Sequence, residues 1–107
     1  MDNSTNPSRA MTIDAERKLL AALCQSALAD ELRATILHRL HNHQFADPDH
    51  QVIHRALIAL PPMDHADKFP ALTQRVTRLG FPDLDLSSLF KEKLPAIDEI
   101  DLLLSRL

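Results

Sequence analysis

Glycine occurs once in this chain, at Gly80, and tryptophan and tyrosine do not occur at all. A single glycine excludes a phosphate-binding loop of the G-x-x-x-x-G-K-[ST] type, which needs two. Together with the scarcity of β-branched residues it also speaks against a turn-rich sheet protein. The one cysteine, Cys24, excludes an intramolecular disulfide; set among Leu20, Leu23 and Leu28, it reads as a small hydrophobe in a reducing, cytoplasmic setting. No apolar run approaches the roughly 18 residues that cross a bilayer. The N-terminus also lacks the basic-then-apolar pattern of a secretory leader, so neither membrane insertion nor secretion is expected.

A cationic surplus is missing as well. The formal net charge is −3, and of the 12 Lys and Arg six fall in residues 1–60 and six in 61–107, with no basic stripe. Neutralising phosphates is what gives nucleic-acid binders most of their sequence-independent affinity. A mildly acidic chain without an arginine cluster or stacking aromatics is therefore not expected to bind DNA or RNA directly.

What is present is leucine and alanine at helical spacing. A chain of 107 residues with 45% hydrophobic content suits one domain, which on folding buries roughly 65% of the surface exposed by the unfolded chain. The expectation is all-α: a compact bundle of five to six short helices over residues 13–107, behind a polar, turn-prone N-terminal tail over 1–12. Thr12 or Asp14 is the expected cap of a first helix over about 14–25, with Leu19, Leu20, Leu23 and Cys24 on one stripe. A second helix, about 29–41, buries Leu32, Ile36, Leu37 and Leu40, starts with Asp30 and Glu31 at the positive end of its dipole, and shows Arg33, His38 and Arg39 on its polar face.

Asp47-Pro48 reads as the start of a third helix, Asp at the N-cap and Pro at the first helical position, followed by Val52, Ile53, Ala56, Leu57 and Leu60. Pro61-Pro62 stops it. Pro70 is expected to open a fourth helix carrying Leu72, Val76 and Leu79, which Gly80 closes as a left-handed cap before Pro82. Two short amphipathic pieces follow, split by Pro95: Leu86, Leu89, Phe90 and Leu94, then Ile97, Ile100, Leu103, Leu104 and Leu107. Prolines at this spacing forbid long coiled-coil arms.

The search for chemistry starts with five histidines, His38, His41, His43, His50 and His54, that fall within seventeen residues. His50 and His54 stand one helical turn apart, as zinc ligands can. The run His50-Gln51-Val52-Ile53-His54 lacks the glutamate that follows the first histidine in H-E-x-x-H, and no further ligand is evident. The expectation is that these histidines face solvent or lie at helix termini, and that neither metal nor cofactor is bound. Ser26, Ser87, Ser88 and Cys24 have no partner motif for nucleophilic catalysis, so no catalytic residue is nominated. Asp98, Glu99 and Asp101 are read as a solvated face of the last helix. The four phenylalanines, Phe45, Phe69, Phe81 and Phe90, are read as core plugs, with about 3 to 5 kcal/mol expected from Phe45→Ala if that ring is a fully buried anchor.

One pair of segments stands apart from this general pattern. Gln44-Phe45-Ala46-Asp47-Pro48-Asp49-His50-Gln51-Val52-Ile53-His54-Arg55-Ala56-Leu57 resembles the stretch of DnaB-type replicative helicase N-terminal domains that reads Phe-Tyr-x-Pro-x-His-Arg-x-Ile-aromatic-x-Ala-Ile. Ala15-Glu16-Arg17-Lys18-Leu19-Leu20-Ala21 resembles the Ala-Glu-x-x-Leu-Leu-Gly block that precedes it. The residues carrying the resemblance are Glu16, Leu19, Leu20, Phe45, Asp47, Pro48, His50, Val52, Ile53 and Ala56. It covers residues 14–60, and the rest only by helical pattern.

Departures are Ala46 where the family often has Tyr, Gln51 where it commonly has Arg, and His54 where it often has an aromatic. The helical hairpin that pairs protomers in the family is not recognisable. The resemblance implies a fold shared with the helicase-binding C-terminal domain of primases, and His50 bonding a nearby backbone group. It also implies a non-enzymatic interaction module of DNA replication that docks on the replicative helicase, on primase or on itself. A helix-turn-helix DNA-binding regulator is the alternative, although its recognition helix would begin with two aspartates facing phosphate.

Overall fold

The computed structural model describes residues 7–25, 27–61 and 63–107. Among these the chain is helical without strands, in six elements: α1 (Pro7–Leu23), α2 (Asp30–His41), α3 (Pro48–Ala59), α4 (His65–Arg78), α5 (Ser87–Lys91) and α6 (Ile97–Ser105). No helix among the described residues is long and apolar enough to cross a membrane.

The first helix is the hub. It packs against α2, α3, α5 and α6, and its second half is buried on nearly every side: Ala15, Glu16, Leu19, Leu20, Ala21, Ala22, Leu23 and Cys24 are all withdrawn from water. The core is completed by Ile36 and Leu40 of α2, Ile53 and Ala56 of α3, Leu72 and Val76 of α4, Leu89 of α5, and Ile100, Leu103 and Leu104 of α6. These residues recur three or four apart along each helix and put one stripe inward, as a 3.6-residue period requires.

Helix α1 starts earlier than the sequence suggests. It begins at Pro7, so residues 7–12 of the expected tail are helical, and residues 1–6 lie outside the described residues. Proline at a first helical position costs no hydrogen bond. Thr12 and Asp14 sit inside the helix, not at its cap: the Thr12 hydroxyl donates to the Arg106 carbonyl (3.0 Å), while Asp14 pairs with Arg17 (2.7 Å) and Lys18 (3.2 Å) along the same helix. Arg17 also pairs with Glu92, tying α1 to the segment after α5.

The C-terminal end of α1 is closed from α2. Arg33, expected on the polar face of its helix, folds back and donates to the carbonyls of Leu23 (2.6 Å) and Gln25 (2.7 Å). Carbonyls at a helix end have no partner within the helix, and a guanidinium suits the negative end of its dipole.

Helix α4 also starts early, at His65, so Pro70 lies within it and not at its first position. The helix opens on Asp64, whose carbonyl accepts from Asp67 (3.0 Å) and Lys68 (3.1 Å). Its far end agrees with the sequence: Gly80 has φ +99°, with Gly80 N–H bonded to the Thr77 carbonyl (3.0 Å) and Phe81 N–H to that of Val76 (2.9 Å). This bond pair defines a Schellman closure, whose left-handed residue is cheapest as glycine. Helix α3 ends at Ala59, before Pro61; Pro62, the second proline of the expected stop, lies outside the described residues. Two of the expected core plugs are in fact exposed, Phe69 at 38% and Phe81 at 42%, whereas Phe45 and Phe90 pack against the core.

Candidate functional site

Two features of the fold bring polar groups together, one out of water and one at an open groove. The first joins the two segments that carry the family resemblance. Asp47 caps α3, its carboxylate accepting from Asp49 N–H (2.9 Å), with Pro48 at the first helical position. Just before this cap the chain runs past α1, and there Glu16, with 0% exposure, reaches it.

One Glu16 oxygen accepts from His43 Nε2 (2.6 Å) and from Ala46 N–H (2.7 Å). The other accepts from His50 Nδ1 (2.9 Å) and Asp47 N–H (3.3 Å). An ionised carboxylate is acceptor-only with about four positions, and all four are taken. Both rings must therefore present an N–H to it: His43 from Nε2, His50 from Nδ1. Burial by itself would raise the Glu16 pKa, but the bonds from Ala46, His43, His50 and Asp47 outweigh it and hold the carboxyl below its ordinary 4.5.

Glu16 thus serves α3 as a second, remote cap, placing negative charge at the positive end of that helix's dipole. A carboxylate with no exposure and no free acceptor position has nothing left to offer a substrate or a metal ion. The cluster is a structural clamp that fixes α3 on α1.

The other residues of the resemblance surround this clamp. Leu19 and Leu20 lie beside Glu16 on α1 and are fully buried; Ile53 and Ala56 are buried on α3, and Val52 packs against the core from its edge. Phe45 is partly buried between two histidines, its ring 5.0 Å from that of His43 (edge-on, 71°) and 5.2 Å from that of His54 (37°). The Arg9 guanidinium donates to the Ala46 carbonyl (3.0 Å) from the first turns of α1.

Two expectations about histidine are corrected. His50 bonds a carboxylate side chain and not a backbone group. His50 and His54, expected at the surface, are only 7% and 8% exposed; α3 turns them inward because Glu16 supplies an acceptor for one and Phe45 a ring face for the other. His38 and His41 are exposed, as expected. His54 Nε2 is buried without a hydrogen-bond partner. Burial, with smaller contributions from His41 and His43, lowers the His54 pKa below 6.5, so the ring is kept neutral. Among the described residues no group of three or more His, Cys, Asp or Glu is arranged to hold a metal ion.

The second feature is open to solvent. Between the end of α3, the segment after it, α2 and the start of α4 lies a groove of about 570 Å³ whose walls are Leu37, Leu57, Ile58, Leu60 and Met63, with Leu23 behind them. Three charged residues line it, Asp30, Arg33 and Lys68. Arg33 is held by the two α1 carbonyls it caps.

Lys68 makes no ion pair or hydrogen bond with its side chain among the described residues. Its pKa is lowered, first by burial and then by the neighbouring Arg33 charge, against a smaller opposing effect from Cys24. Cys24 itself is buried, and that burial pushes its thiol up to about 12, which makes it inert as a nucleophile. Of the other nominated hydroxyls, Ser87 donates to Asp85 (2.6 Å) and stands in no constellation with a base; Ser26 lies outside the described residues.

The sequence points to the clamp through the two segments of the resemblance. Nothing in it singles out Lys68, because a lone lysine in a polar linker looks like any surface lysine until folding sets it beside Arg33. Compared with known proteins, the chain matches no family model, no curated protein and no solved structure.

Proposed function

We propose that this chain is a non-catalytic helical docking module that binds a protein partner through the groove between α2, α3 and α4, and that its partner belongs to the replication machinery, a replicative helicase or a primase. The observation that carries the docking reading is the groove itself, lined by Leu37, Leu57, Ile58, Leu60 and Met63, of which Ile58 is exposed and the others half-buried, beside Lys68, which makes no ion pair among the described residues. A surface of that kind gains both apolar burial and charge pairing when a partner covers it. The partner class rests on the resemblance of residues 14–60 to helicase N-terminal domains. In its favour, the two blocks of that resemblance bond to each other, Glu16 accepting from Ala46, Asp47 and His50.

Size-exclusion chromatography with light scattering tests this, on the chain alone and mixed in turn with the host's replicative helicase and primase. A co-eluting complex that is lost on Ile58→Asp, a substitution at a 56% exposed position of the groove, is the expected result. Co-elution with neither protein would remove the replication partner and leave the resemblance as a statement about two segments only.

A further inference from the structure

Helix α6 has two apolar faces, and the bundle uses one. Ile100, Leu103 and Leu104 are buried against the core, while Ile97 is 62% and Leu102 50% exposed on another side of the same nine-residue helix. Asp98 and Asp101 are exposed between them. Positions 97, 98, 101 and 102 are spaced i, i+1, i+4 and i+5, which lines them up as one stripe, two aliphatic side chains about 7.5 Å apart along the axis flanking two carboxylates.

The groove between α2, α3 and α4 asks for that chemistry. It presents aliphatic walls from Leu37, Leu57, Ile58, Leu60 and Met63 and a net positive lining, Arg33 and Lys68 against Asp30. Within one molecule the two cannot meet, because α6 is held on α1 by its own buried stripe.

We infer that the groove of one copy receives the outer face of α6 of a second copy, with Ile97 and Leu102 in the apolar trough and Asp98 and Asp101 against Lys68 and Arg33. The inference rests on the groove being a docking surface, as proposed above, and not on the replication partner. Charge complementarity chooses the occupant: Lys68 makes no ion pair among the described residues, and the outer stripe of α6 carries Asp98 and Asp101 beside exposed aliphatics. Asp30 at the lip sets the register, since a helix seated the other way would bring its aspartates against a third. A contact of groove to helix joins unlike surfaces, so it closes either as a reciprocal pair or as a ring.

Sedimentation equilibrium of the full chain across a wide concentration range provides the test. The expected result is a concentration-dependent mass of at least two chains. Lys68→Glu should weaken association by about tenfold or more, since it sets a carboxylate against carboxylates. Asp101→Lys should do the same, and the two together should restore much of it by reversing the pair. Leu102→Asp gives an independent disruption on the helix side. Lys68 and Leu102 lie outside the core, so a urea midpoint near wild type verifies that each variant folds.

A chain that stays monomeric at every concentration overturns the inference. So does an oligomer indifferent to both Lys68→Glu and Leu102→Asp. A monomer that nonetheless binds helicase or primase through the groove refutes self-association and leaves the docking function standing. An oligomer that binds neither protein keeps the groove as a docking surface and removes the replication partner.

Discussion

Glu16 and Lys68 are both drawn back from water, and among the described residues only Glu16 has its charge answered. Glu16 is fully buried and accepts four hydrogen bonds, from His43, Ala46 and Asp47 of the segment before α3 and from His50 within it. Lys68 lies half-buried in a groove with a second cation for a neighbour. A buried charge costs several kcal/mol unless its hydrogen-bonding capacity is met. Where it is met, the group orders the fold and is closed to ligands; where it is not, an incoming anion relieves the cost. The difference separates what holds this molecule together from what it offers to others.

The largest expected effect breaks the closed side of that comparison. Glu16→Leu removes the acceptor and leaves two imidazole N–H groups and two backbone N–H groups facing an aliphatic side chain. Stability should fall by about 3 to 5 kcal/mol, the range seen when one member of a buried charged network is deleted. Urea unfolding followed by far-ultraviolet circular dichroism reads this directly. A midpoint within experimental error of wild type would show that the carboxylate does not fix α3.

The clamp has a hydrophobic half that can be broken separately. Phe45 lies between the rings of His43 and His54 but is only partly buried. Phe45→Ala should therefore cost about 2 to 3 kcal/mol, below what a fully enclosed ring would lose. A double variant with Glu16→Leu should fall short of additivity, because both substitutions release the same segment before α3.

What the sequence revealed and what it hid divide along the same line. Apolar periodicity found the second and third helices nearly to the residue, and Asp47-Pro48 and Gly80 marked an N-cap and a left-handed C-cap that the fold uses as such. Caps are local chemistry, settled within a few residues of the chain. The misplaced starts of α1 and α4 are cases where tertiary contact outweighed local signals: polar residues 7–12 stay helical with Thr12 and Arg9 bonded to distant carbonyls, and α4 accommodates Pro70 in its interior.

The inward turn of His50 and His54 was hidden for the same reason. Spacing shows that two histidines share a helix face, whereas which way that face points depends on an acceptor 34 residues away. The Lys68–Arg33 juxtaposition had no sequence signal at all, since it exists only once folding brings the start of α4 beside α2.

Arg33 stands on the border between the two regions, capping α1 with one side and lining the groove with the other. Arg33→Met keeps much of the aliphatic stem and removes both charge-assisted bonds. The expected loss is about 1 to 2 kcal/mol, because the α1 carbonyls are part-exposed and water can replace the guanidinium. A drop as large as that of Glu16→Leu would place Arg33 with the closed network and shrink the open region to Lys68 alone.

The smallest effect has the opposite sign. Among the described residues His54 is the unsatisfied member of the clamp's surroundings, its Nε2 buried without a partner and its pKa held below 6.5 by burial and, to a smaller extent, by neighbouring His41 and His43. His54→Phe retains an aromatic face for Phe45, removes the orphaned nitrogen, and should raise stability by about 1 kcal/mol at neutral pH.

The pH profile makes the test sharper. A histidine whose folded pKa lies below its unfolded value binds more protons in the unfolded chain, so the stability it allows above pH 6.5 is lost as pH falls through the folded pKa. Glu16 acts with the same sign in a lower window, starting near its ordinary 4.5. Wild type should therefore begin to weaken below pH 6.5 and weaken again below 4.5, whereas His54→Phe should hold level until the second step. If the variant still loses stability from pH 6.5 downward, His54 is not the group whose protonation weakens the fold there, and its buried Nε2 is not the liability the structure indicates.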